Sequence, residues 1–188
     1  MARRYYRRRS HRRTPQNLVW QPVQLRGDWD LTSDNVANTV LGTVTPGRTQ
    51  HGNGQAYNSN AFNEDCILER IRGTIHHEGS GLSSATSNVI PVAFAAVKIP
   101  SGLGADNDID LFSTTDGDDF PFYVSHVCDV SDGSTSTLNE HAVDSKAKRK
   151  FHVGDVLKFF GSAVCKAFTN GSPKIEFCIN LRILWRLP

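Results

Sequence analysis

The sequence lacks most of the signals by which a chain announces an activity. It has no run of about eighteen apolar residues, the length a membrane span needs. Its charged N-terminus is not followed by the apolar stretch of a secretory signal. There is a single methionine, and the four cysteines (Cys66, Cys128, Cys165, Cys178) never form CxxC. Without a secretory signal they read as buried free thiols of a protein made in a reducing compartment. No GxxxxGK[ST], GxGxxG or GxSxG occurs, so neither a phosphate cradle nor a nucleophile elbow is expected. HExxH and HxH are absent, which removes the usual zinc, cupin and rolling-circle nuclease patterns; His76-His77-Glu78 fits none of them. His126 and Cys128 alternate on one strand face, but the sequence supplies no further ligands at recognisable spacing. The histidines therefore read as surface or core residues, and no metal, cofactor or catalytic set is expected. No convincing three-turn amphipathic helix is present either.

Acid is also missing from the first thirteen residues, and there the informative part begins. That stretch holds Arg3, Arg4, Arg7, Arg8, Arg9, Arg12 and Arg13. The whole chain of 188 residues has a formal charge of +2. Removing those seven arginines leaves fourteen basic against nineteen acidic residues, so residues 14–188 carry −5. The chain is a cationic tail on a mildly acidic body, an asymmetry typical of an interaction arm. Residues 1–16 have little to bury and repel one another, so they form an arm, disordered when free, ahead of one domain at 17–188. Each guanidinium stays charged and can take two phosphate oxygens. Seven such contacts to single strands give a log K against log salt slope of about −5. Tyr5 and Tyr6 sit among the arginines, where they can stack on unpaired bases. The same exposed charge also suits a nuclear-import signal.

A second basic cluster, Lys146, Lys148, Arg149 and Lys150, lies in DSKAKRKFHVGD. On a strand, Lys146, Lys148 and Lys150 share one face, opposite Ala147, Arg149 and Phe151. That face suits a nucleic-acid surface, or equally a solvated edge that uses lysine against aggregation. Six acids between Asp106 and Asp119 open like a calcium loop, but its glycine and closing glutamate are missing (Leu111 and Gly117 stand there). A solvated acidic loop is the expected reading.

The body reads as strands. Candidates are 17–25, 36–44, 65–77, 89–99, 120–130, 143–153, 155–168 and 174–186, with polar, glycine-rich stretches between them. Pro22 suggests that the first is an edge strand. Ile67, Ile71 and Ile75 are expected on one face of the third. The last is the clearest: Ile175, Phe177, Ile179, Leu181, Ile183 and Trp185 alternate with Glu176, Cys178, Asn180, Arg182, Leu184 and Arg186. This pattern predicts an all-β antiparallel sandwich or barrel.

The order of these features is the arm, ERIRGTI (69–75), VAFAAVKIP (92–100), the acidic loop with DDF, VDSKAKRKFHVGD (143–155) and NLRILWRLP at the end. In that order the chain resembles the capsid proteins of small circular, replication-protein-encoding single-stranded DNA viruses, the wide group around the circoviruses. It is short for that group. The resemblance implies a single jelly roll, an eight-stranded antiparallel sandwich. It also implies self-assembly into the smallest icosahedral shell, with the arm inside against a single-stranded DNA genome. The expected locations are the virion and, during assembly, the host nucleus, reached through nuclear-import factors. No membrane and no enzymatic activity are implied. About sixty copies with seven arm charges give roughly 420 positive charges, each displacing one condensed counterion. That is short of a kilobase-scale genome, so Lys146, Lys148 and Lys150 are expected to add to the inner surface. The competing readings are a ribonucleoprotein β-barrel module and the coat of a small RNA or satellite virus.

Overall fold

The computed structural model describes residues 17–31, 36–48, 61–82, 88–102, 111–112, 120–130, 138–164 and 171–188. These form eight strands, and among the described residues there is no helix. The strands are β1 (Leu18–Asp30), β2 (Val36–Val44), β3 (Cys66–Leu82), β4 (Asn88–Ile99), β5 (Phe122–Val130), β6 (Asn139–Phe151), β7 (Val156–Val164) and β8 (Gly171–Arg186). Antiparallel pairing runs β1–β8–β3–β6 on one side. On the other it runs β2–β7–β4–β5, again antiparallel. One parallel pairing, Gly79 with Val130, joins β3 to β5. The two four-stranded sheets thus form one nearly closed, barrel-like wrap.

Alternation drives this closure. Along β8 the predicted apolar face (Ile175, Phe177, Ile179, Leu181, Ile183, Trp185) is buried. It packs in one core with Leu25 and Trp29 of β1, Ile71 and Ile75 of β3, Phe94 of β4 and Phe159 of β7. Burying such side chains contributes about 1.5–3 kcal/mol each. The one polar residue deep in β1 is satisfied: Trp185 Nε1 donates to Gln21 Oε1 at 2.7 Å, and Gln21 Nε2 donates to the Thr45 carbonyl at 2.9 Å. Pro22 is tolerated inside β1 because that strand is an edge, paired only with β8 among the described strands.

The centre of the second sheet, in β4 and β7, is buried on both faces, which explains the unbroken apolar run of β4. Val92, Phe94 and Ala96 join the main core. Ala93 and Ala95 meet Phe160 and Leu111, with Phe112 and Phe120 packed against them, so Leu111, Phe112 and Phe120, from between β4 and β5, cover part of that outer face.

Two sequence expectations need correction. A β-bulge between Leu68 and Arg70 inserts a residue into the β3–β6 and β3–β8 ladders. It takes Ile67 off the face of Ile71 and Ile75, and Cys66 and Leu68 are buried instead. Cys178 is only half-buried, because it belongs to the polar face of β8. Cys66 and Cys128 are buried free thiols, and burial pushes them up to about 12 and about 11 respectively. Cys165 lies outside the described residues.

The turn after β6 is fixed by Gly154 and Asp155. Gly154 adopts φ +91°, which favours glycine. Asp155 is buried and accepts hydrogen bonds from the Ser101 and His152 amides while pairing with Lys98 Nζ at 2.9 Å. Burial pushes the Asp155 carboxyl up, but Lys98 and the two amides outweigh it and hold it below the usual range.

Candidate nucleic-acid interface

The outward face of the β1–β8–β3–β6 sheet carries many charged side chains, and the register orders them into rows. At the start of β1 the row is Leu18, Arg186, Ile67 and Lys150. Next come Trp20, Leu184, Arg70 and Lys146, then Pro22, Arg182, Arg72 and Asp144. Strands about 4.8 Å apart put the ends of each row about 14 Å from one another. Further along stand Arg26, Cys178, His76 and Glu140, then Asp28, Glu176 and Glu78.

The face is therefore polarised. Near the start of β1 it holds Arg70, Arg72, Lys146, Lys148, Lys150, Arg182 and Arg186 against Asp65, Glu69 and Asp144. The far end holds Arg26, His76 and Lys174 against Asp28, Asp30, Glu78, Glu140 and Glu176. The three acids of the basic end are all engaged. Arg70 grips Asp144 through Nε and Nη2, with Arg72 Nε 3.6 Å from the same carboxylate. The hydrogen bond from Arg70 holds the Asp144 carboxyl below its usual range. Arg186 Nε donates to Glu69 at 2.6 Å, and Asp65 is shared by Lys150 at 2.9 Å and His152 at 3.0 Å. Among the described residues, Lys146, Lys148 and Arg182 make no ion pair. They are the cations most available to phosphate.

Beside them lies an open depression of about 910 Å³, lined by Trp20, Gln24, Arg72, Thr74, Asn180 and Arg182 among others. Trp20 is 44% exposed. An exposed aromatic and two arginines thus line the same depression. By contrast Phe177 and Trp185 point into the core.

Of the residues singled out in the sequence, Lys146, Lys148 and Lys150 do share the exposed face of β6, opposite the buried Ala147 and Phe151. Arg149 faces the other way and is half-buried. β6 is also the edge of its sheet, so the anti-aggregation reading of its lysines has the same geometric support. The arm residues Arg3, Arg4, Tyr5, Tyr6, Arg7, Arg8, Arg9, Arg12 and Arg13 lie outside the described residues, as does most of the acidic loop. The point where the arm joins the domain is described. The Leu187 amide donates to the Asn17 carbonyl at 2.9 Å, which sets the base of the arm beside Arg186 at the basic end of the sheet.

Sequence reasoning passed over Arg70, Arg72, Arg182, Arg186 and Trp20 as site residues. The alternation of ERIRGTI and NLRILWR shows that those arginines leave the core. It does not show that strands 69–75, 146–150 and 182–186 lie side by side, which is a property of the pairing.

No protein-family model matches the chain, and no curated protein matches it. Among solved structures it is similar to a chain of desmodium yellow mottle tymovirus, at 14% identity over 93% of this chain and 91% of that one, with a TM-score of 0.28. At that TM-score the likeness carries no weight for fold or function, which rest on the geometry.

Proposed function

We propose that this chain is a viral coat protein: a single jelly roll that assembles into a small icosahedral shell and packages single-stranded nucleic acid. The observation that carries the reading is the base of the arginine arm meeting the basic end of an eight-stranded wrap. Strand orders β1–β8–β3–β6 and β2–β7–β4–β5 suit two interleaved Greek keys, the topology of jelly rolls, a fold that viral shells use among others. Fold alone does not assign function. The functional weight falls on the arm, which binds phosphate without reading sequence, and on the sheet face that continues it.

In this reading the basic end of the sheet faces inward. Lys146, Lys148, Lys150, Arg72 and Arg182 extend the arm's charge, and Trp20 holds a base. The resemblance to circovirus-like capsid proteins favours DNA as the genome. The arm would also serve nuclear import, placing assembly in the host nucleus, and the chain's role is structural rather than enzymatic. Exposed Trp20 also suits the alternative of a monomeric single-strand-binding module.

The test is to express the full chain, isolate the heaviest species, treat it with nuclease and identify what is protected. Protected single-stranded DNA in shells supports the whole reading. Protected RNA keeps the shell and replaces the genome type. Bound nucleic acid that nuclease digests freely from small particles favours the module.

A further inference from the structure

His77 of β3, His126 of β5 and His141 of β6 meet at the margin where the two sheets join. Gly79, two residues beyond His77, makes the one pairing between β3 and β5. Each histidine offers a ring nitrogen, and these three atoms lie within 4.8 Å of one another. His77 Nε2 and His141 Nε2 are 3.0 Å apart. The ring centroids are 4.4 Å apart for His126 and His141, 5.1 Å for His77 and His141, and 5.8 Å for His77 and His126.

The cluster is costly as it stands. His77 is 1% exposed, one side of its ring lies against Phe94, and its Nδ1 meets no hydrogen-bonding partner. A buried polar atom without a partner costs about 1–3 kcal/mol. The imidazoles act on one another: His141 and His126 on His77, and His126 on His141. Burial first, and then His141 and His126, push His77 down to about 4.

Three convergent imidazoles, one of them with an unpartnered buried nitrogen, are the donor set of a borderline divalent cation. Zinc bound at about 2.0–2.1 Å to each nitrogen asks for nitrogens about 3.3 Å apart in a tetrahedral site. The His77–His141 spacing of 3.0 Å is close to that value, and the His126 nitrogen lies within 4.8 Å of both. We propose that His77, His126 and His141 form a binding site for one divalent transition-metal ion, zinc by donor type, with a fourth position open to solvent beside His126. The ion would clip β3 and β6 of one sheet to β5 of the other, so that its binding energy adds to the stability of the domain. This proposal stands or falls independently of the coat-protein reading.

The experiment uses untagged full-length protein stripped with chelator and titrated with Co²⁺, followed by Zn²⁺. One Co²⁺ per chain is expected, with the strong visible bands of a four-coordinate site that Zn²⁺ then abolishes, and the melting temperature should rise with Zn²⁺. His126→Ala and His141→Ala are at solvent-reaching positions and should fold, with affinity reduced at least about tenfold. His76→Ala, on the opposite face of β3, should leave binding unchanged. Absence of stoichiometric binding by the wild-type chain overturns the proposal. So does binding that survives both His126→Ala and His141→Ala.

Discussion

Two residues show how little slack the sheets have. Gly73 sits inside β3 at φ +149°, and a Cβ there would lie 2.0 Å from the Asn180 carbonyl oxygen of β8. Gly73→Ala must push two paired strands apart, so it should destabilise by more than about 1 kcal/mol in urea unfolding. Asp155 is the second case. Replacing it with Asn removes the charge that Lys98 pairs with and weakens the bonds from the two amides. A loss of about 1–3 kcal/mol at neutral pH is expected. The Asp155 carboxyl titrates lower in the folded chain than its ordinary 3.8, so its contribution is present above that value. It is lost as pH falls through the lower folded value. The gap between wild type and Asp155→Asn, followed by urea melts, should therefore close only in strong acid. A gap that closed near neutrality would contradict the assignment.

At the scale of elements, β8 and β4 show what was legible and why. β8 is half-buried, so its alternation is complete and its two faces can be read directly. β4 is buried on both sides, so its apolar run marks a strand without saying which residues face which core. The β3 bulge was invisible, because one inserted residue changes the face of Ile67 without changing composition. The lysines of β6 were legible as a face, since Ala147 and Phe151 alternate with them. Their neighbours Arg72 and Arg182 were not, because only strand pairing puts them there. The same holds for the three histidines, which come from three strands and share no spacing rule. The element-scale prediction concerns the basic end of the face. Lys146→Glu with Lys148→Glu should leave the melting temperature nearly unchanged, since neither side chain forms an ion pair with a described residue. It should weaken single-strand binding and lower the salt slope by about 0.7 for each phosphate that these lysines no longer neutralise. An unchanged slope would leave β6 as an edge protected by lysine and nothing more.

At the scale of the whole molecule, the proposed function divides between the arm and the domain, and truncation separates them. Deleting residues 2–13 should leave the unfolding of the domain intact, because the described core is drawn from Val19 onward. It should abolish most nucleic-acid retention, measured as the ratio of absorbance at 260 to 280 nm in purified material. The eight strands pair far along the chain, β1 with β8 above all, so folding requires both ends of the domain. The central claim is that the folded unit is a container, and imaging the expressed full-length protein by negative-stain electron microscopy tests it most directly. Closed shells of uniform diameter are predicted. Fields holding only small particles of monomer size under assembly conditions would contradict it.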